Sequence, residues 1–141
     1  MAFVHPASGR TIWHLATGVS TAHFAVELKA FAEAAGAGPH KHIVLVLDGA
    51  GWHTSDCLPV PKYVHLLFLP AHAPELQPAE HLWPFSDAPL VNRHFRDLEE
   101  LETVQFERCA VLQTRPDLIR STTLFPWWPQ RIRKPQGPRR R

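Results

Sequence analysis

Ile43-Val-Leu-Val-Leu-Asp-Gly-Ala-Gly-Trp-His53 is the stretch whose reading decides the fold. Five apolar residues in a row suit a strand covered on both faces, and Asp48-Gly49 directly behind them forms a sharp turn. A second run, Val64-His-Leu-Leu-Phe-Leu69, is stopped by Pro70. Fifteen residues separate Asp48 from Val64, enough for a crossover with a short helix and hence for parallel pairing. Upstream, Ala2–Val4 and Arg10–Ala16 read as two short strands joined by the turn-forming Pro6-Ala-Ser-Gly9. Between hairpin and parallel pair, Ser20 or Thr21 caps a predicted helix with Phe24, Leu28, Phe31 and Ala35 on one face and Gly36 at its end. The order strand, strand, helix, strand, crossover, strand indicates an α/β fold with a mixed sheet.

Downstream, seven of the 14 prolines fall between Pro59 and Pro89, a stiff, folded-back region. Pro78 suits the first position of a short helix capped by Gln77, and Pro84 is expected to cut it after about a turn and a half. Asp97-Leu-Glu-Glu100 matches a capping box and opens a helix to about Gln113, with Leu98, Leu101, Val104 or Gln105, Cys109 and Leu112 along one stripe. The Pro/Trp-rich segment 114–130 is expected to be irregular, and 131–141 a basic disordered tail.

A chain of 141 residues allows one domain of ordinary size, and 45% hydrophobic residues exclude a wholly disordered one. No apolar run approaches the ~18 residues of a membrane span, and the opening residues lack a secretory signal pattern. Cys57 and Cys109 stand far apart, which suits a reducing cytosol and gives no disulfide or zinc framework. His40 and His42, with His72 and His81, lack a cysteine partner, and their HxH lies in a proline-flanked turn that reads as solvated. The net charge of +2 divides unevenly: Arg131, Arg133, Lys134, Arg139, Arg140 and Arg141 are six of the 15 basic residues. The remaining 9 basic residues face 13 acidic ones, so the body is mildly acidic and any nucleic acid is met locally.

Two acids stand out. Asp48 ends a buried strand, where ligands of open α/β sheets bind; it also reads as a turn residue before glycine. Glu80 lies in Leu69-Pro-Ala-His-Ala-Pro-Glu-Leu-Gln-Pro-Ala-Glu-His-Leu-Trp83, at the third position of the short helix, where it can also serve as a capping acid reaching back to Gln77.

Together, Val46-Leu-Asp-Gly-Ala-Gly-Trp-His53 and Phe68-Leu-Pro-Ala-His-Ala-Pro-Glu-Leu-Gln-Pro-Ala-Glu-His-Leu-Trp83 carry a resemblance. From about Val4 to Phe106 the chain resembles the DDE-superfamily endonuclease domain of bacterial insertion-sequence transposases related to mariner, and the two acids lie 32 positions apart, within the family's range. The resemblance implies a ribonuclease-H-like mixed sheet with flanking helices over residues 1–113, lacking its first, central strand. It implies DNA cleavage and strand transfer on transposon ends and target, with Mg²⁺ or Mn²⁺ held by Asp48 and Glu80. It allows a transposase homodimer, has no membrane role, and places the protein in the bacterial cytoplasm with the nucleoid.

The family's first Asp lies on a strand upstream of the hairpin; here the acids before Asp48 are only Glu27 and Glu33, both on the predicted helix. The catalytic set is thus expected to be incomplete, the chain being a fragment or a non-catalytic remnant that binds DNA or another transposase chain. The central strand is expected between the hairpin's second strand and the strand ending at Asp48. His53, where the family usually has His, either contacts DNA or orders the loop. The cations of the tail are candidate phosphate contacts, although a solvated terminus is the simpler reading. Trp127 and Trp128 read as cover for the edge of the core.

Overall fold

A computed structural model describes residues 1–129 apart from Thr17, Trp52 and Ser55. The basic tail lies outside the described residues. The elements run β1 (Ala2–His5), β2 (Arg10–Trp13), α1 (Thr21–Ala34), β3 (Ile43–Leu47), β4 (Val64–Phe68), 3-10 turns at Pro74–Leu76 and Pro78–Leu82, α2 (Trp83–Asp87), α3 (Leu98–Gln113) and α4 (Pro116–Thr123). The chain is α/β, but in place of one mixed sheet the described residues form two sheets of two strands each. β1 pairs antiparallel with β2, with Phe3 opposite Ile12, and β3 pairs parallel with β4, with Leu47 opposite Phe68.

Helix α1 holds the two sheets together. The Ser20 hydroxyl accepts from the His23 amide at 3.2 Å, and Gly36, at φ +72°, ends the helix. There the Gly36 amide donates to the Glu33 carbonyl and the Ala37 amide to the Ala32 carbonyl, the paired bonds of a left-handed helix end. Phe24, Leu28 and Phe31 are buried along one stripe, in a single cluster with Phe3 of β1, Leu47 of β3 and Val64 of β4. Phe3 stacks on Phe31 with ring centroids 4.2 Å apart, a contact worth roughly 0.5–1.5 kcal/mol beyond its buried area.

The hairpin is covered on both faces. Its second face presents Val4 and Trp13 to Leu82, Leu112 and Ile119, a second core cluster. The β3–β4 pair is covered on one face only, contrary to the reading of its apolar runs. Val44 is 61% and Leu67 55% exposed on the other. An apolar run reports what a strand tolerates, and no described element packs on that side.

Other expectations need correction. β2 stops at Trp13 rather than Ala16. The crossover from β3 to β4 carries turns and no helix among its described residues, because Gly49, Gly51, Pro59 and Pro61 leave no helical stretch. Pro84 does not end the helical path. The segment before it is 3-10, so the Trp83 amide donates to the Glu80 carbonyl and Pro84 falls in the first turn of α2, where no donor is required. Segment 114–130 is not irregular throughout: Pro116 opens α4, which buries Ile119 and Thr123. In α3 the Asp97 carboxylate accepts from the Glu100 amide at 2.8 Å, while the Glu100 side chain takes the Arg96 amide at 2.9 Å. Only the C-terminal half of the stripe is buried, at Cys109 and Leu112, and Leu98 is exposed. Burial pushes the Cys109 thiol above its usual pKa, which keeps it protonated and unreactive. Among the described residues no helix is long and apolar enough to cross a membrane.

The hairpin turn is seated on α4. Gly9 has φ +69°, and a Cβ there would fall 1.9 Å from the Pro116 carbonyl oxygen. Gly9→Ala is therefore expected to lower the unfolding midpoint markedly, costing more than the ~1–3 kcal/mol of a strained left-handed residue alone. An unchanged midpoint would mean that turn and helix do not meet. From the bare face of β3–β4 and the separate sheets, the purified chain is expected to bind hydrophobic dyes and to unfold with low cooperativity. A sharp two-state melt of a dye-free monomer would contradict this.

Candidate functional site

A groove of about 570 Å³ separates the two sheets. Met1 to His5 line one wall and Ile43 to Asp48 the other, with Phe24 and Phe31 of α1, and Ala35 just past its end, between them. β1 lines the groove along its whole length, where the second strand of the hairpin was expected to; β2 contributes Arg10 and Ile12 and packs also on α3 and α4. Asp48 and Glu80, 32 positions apart in sequence, both line this groove.

Each carboxylate is held by a side chain from its own turn. Asp48 follows β3, and its Oδ1 accepts from the Ala50 amide at 3.2 Å, closing the turn through Gly49. The same oxygen lies 2.6 Å from His53 Nδ1. A carboxylate only accepts, so Nδ1 carries the proton and the imidazole is fixed in orientation. The His53 side chain is 12% exposed and the Asp48 side chain 47%. His53 packs on Phe24 of α1 at 4.4 Å between centroids, so the core sets where the carboxylate stands. His53 thus orders the Asp48 loop; its expected alternative role as a DNA contact is not required by this placement.

Glu80 sits in the 3-10 turn Pro78–Leu82. Its Oε2 accepts from the Trp83 indole Nε1 at 2.9 Å. Trp83 meets Trp13 of β2 edge-on at 6.2 Å, and α2 is tied to α3 by Arg108 Nε donating to the Phe85 carbonyl at 2.7 Å. The Gln77 side chain makes no capping bond, and the Glu80 carboxylate engages Trp83 rather than closing a capping box. Trp83 is the positioning residue that the sequence reading missed. Its separation of three from Glu80 is the signal that was available, since residues three apart share a helix face. Gln77 Oε1 is buried without a hydrogen-bond partner, a second polar group at the same rim that was read only as a cap.

Two carboxylates supply hard oxygen donors of the kind Mg²⁺ and Mn²⁺ take. In each, one oxygen is engaged and the other takes no hydrogen bond within the described residues. The donors fit in kind and fall short in number: among the described residues no group of three or more His, Cys, Asp and Glu side chains could hold a metal ion. Glu27, on α1, does not fill the place, since it pairs with His14. The candidate DNA contacts Arg131, Arg133, Lys134, Arg139, Arg140 and Arg141 lie outside the described residues. Trp128 meets His5 edge-on at 6.3 Å and lines the groove, as expected of a side chain covering the core edge.

Comparison with known proteins adds three findings. A sequence profile described as DDE superfamily endonuclease matches residues 1–102. The uncharacterized protein y4pE/y4sA of Sinorhizobium fredii (strain NBRC 101917 / NGR234) is 41% identical over 87 residues, which are 61% of this chain and 64% of that protein. No solved structure matches.

Removing a group that orients a metal ligand commonly lowers affinity 10–100-fold. If Asp48 and Glu80 share a cation, His53→Ala and Trp83→Phe are each expected to weaken Mn²⁺ binding, measured by calorimetry, by about tenfold. Affinity indistinguishable from that of the unmodified chain in both variants would show that these contacts serve folding alone.

Proposed function

Because this chain belongs to the DDE superfamily of endonucleases, we propose that it is part of a mariner-related bacterial insertion-sequence transposase. In this reading its domain is ribonuclease-H-like, it cuts and joins DNA at transposon ends and target, and Asp48 and Glu80 are two of its metal-binding carboxylates. Domains of this family generally depend on a divalent metal and act on DNA. The observation that carries the reading is the convergence of Asp48 and Glu80 on one groove from opposite ends of a 32-residue separation.

When bound, Mg²⁺ or Mn²⁺ would activate the attacking oxygen and stabilise the leaving one in an in-line displacement at phosphate. The chain's own part is placement. The turn after β3 and the His53 imidazole hold the Asp48 carboxylate, and the Trp83 indole holds that of Glu80, so that these two residues would hold the cation through the oxygens left without a hydrogen bond among the described residues. The basic residues 131–141 add salt-dependent affinity for the DNA backbone. A homodimer, nucleoid association and a third carboxylate supplied from outside these residues complete the proposal.

A second reading is a non-catalytic remnant that binds DNA or another transposase chain. The two-carboxylate site favours it for the chain taken by itself. One experiment separates the two. The chain alone is expected not to nick a transposon-end duplex with Mg²⁺ or Mn²⁺. Fused to an upstream apolar strand bearing an Asp, it is expected to gain a nicking activity that Asp48→Asn and Glu80→Gln each abolish. Activity of the chain alone that Asp48→Ala removes would show that another acid completes the site. Full activity of Glu80→Gln in the fusion would overturn the role given to Glu80, and an inert fusion that folds would favour the remnant.

A further inference from the structure

Gln77 stands between the two 3-10 turns, three residues before Glu80. Its backbone is satisfied: its amide donates to the Pro74 carbonyl at 2.9 Å, and its carbonyl accepts from the Glu80 amide at 3.1 Å. Its side chain is not. Oε1 is buried and has no hydrogen-bond partner among the described residues. Pro78 has no N–H to give it, and the Glu80 amide is already taken by the Gln77 carbonyl. A buried acceptor without a donor is destabilising, so it calls for a partner that the fold itself does not hold. The place of this oxygen says what that partner is. A second cavity, of about 340 Å³, lies behind the turn at Asp48 and is walled on its other side by His72 and Pro74. Asp48 and Gln77 are the two described residues that line both this cavity and the groove. Gln77 is thus placed near Asp48 across the loop and near Glu80 along the chain.

We propose that Gln77 Oε1 is a further oxygen donor to the divalent cation of Asp48 and Glu80. The inference rests on that metal reading and adds a ligand of another kind, a neutral amide oxygen. Mg²⁺ and Mn²⁺ take carbonyl oxygens as well as carboxylates, both being hard donors. Burial favours a cation over water as the partner. The oxygen is closed to water, whose hydrogen bonds span about 2.8 Å, whereas Mg²⁺ stands only about 2.0–2.1 Å from its ligands. The described residues themselves close it off, so a chain segment elsewhere in the groove does not supply its donor. Being uncharged, the amide raises the number of donors without replacing the third carboxylate that the proposed function takes from outside these residues.

The test uses the full chain, with Mn²⁺ as the probe in calorimetry and Mg²⁺ in magnetic resonance. Gln77→Met keeps the length of the side chain and removes the oxygen; Gln77→Glu keeps an oxygen and adds a charge. Mn²⁺ binding is expected to weaken about tenfold in Gln77→Met and to be kept or tightened in Gln77→Glu. Without metal, Gln77→Met is expected to unfold at the same temperature as the unmodified chain or higher, because the unpaired acceptor is gone. A structural role alone would give the reverse, a lower midpoint with unchanged Mn²⁺ affinity, and would overturn the inference. Mg²⁺ is expected to shift the side-chain amide resonances of Gln77 in the unmodified chain and not in Asp48→Asn. Should Gln77→Met lose both affinity and stability, those resonances decide, and their failure to move would overturn the ligand role. Equal weakening in Gln77→Glu and Gln77→Met would also overturn it, by showing that the amide turns its nitrogen to the carboxylates. Affinity lost in Asp48→Asn but kept in Gln77→Met would remove Gln77 alone. No Mn²⁺ binding by the unmodified chain, or binding unchanged in Asp48→Asn, would overturn the metal reading and this inference with it.

Discussion

Everything in this chain hangs on the apolar stripe of α1. Among the described residues the two sheets share no strand pairing, so the hairpin and the parallel pair keep their relative position through Phe24, Leu28 and Phe31 packing against Phe3, Leu47 and Val64. Truncating one buried aromatic side chain typically costs ~3–5 kcal/mol, and the whole margin of a domain is ~5–15 kcal/mol. A helix that bridges two open edges in this way carries more than its share of that margin. It also fixes the width of the groove, because both walls rest on it.

The candidate site inherits its geometry from that helix and from two aromatic relays. Phe24 seats His53, and His53 orients Asp48; Trp13 seats Trp83, and Trp83 orients Glu80. Each carboxylate is thus tied through one hydrogen bond to a ring, and through that ring to a core. Such supports matter for metal chemistry, since a ligand's direction is set by what holds it. They also explain why Glu80 stands well despite the proline after Trp83: a 3-10 turn assigns the Glu80 carbonyl to the Trp83 amide, and the missing Pro84 donor is not needed.

Much of this was legible in the sequence where the determinants are local. Ser20, Gly36 and Asp97 mark helix ends through bonds made within four residues, and the structure has them there. The runs at Ile43 and Val64 were legible as a parallel pair because the stretch between them is long enough for a crossover. What the sequence hid depends on partners distant along the chain. Val44 and Leu67 read as buried because nothing in a run of apolar residues says whether a second layer covers them. Which edge of the hairpin faces β3 is decided by α3 and α4 taking the side of β2. Helix α4 was masked by the prolines around it, although Pro116 at a first helical position is itself a starting signal. For the site, the two acids and their separation were visible, while their supports were not: Trp83 acts through Trp13, seventy residues away.

The central claim is that Asp48 and Glu80 present their open oxygens to one divalent cation at the mouth of the groove. Titrating the full chain with substoichiometric Mn²⁺ and following paramagnetic broadening of backbone amides tests it most directly. The account requires the amides around Asp48 and those around Glu80 to broaden together, at one Mn²⁺ concentration, and to do so in neither place in Asp48→Asn. Broadening confined to one of the two segments, or centred on the pair His42 and His65, would contradict it.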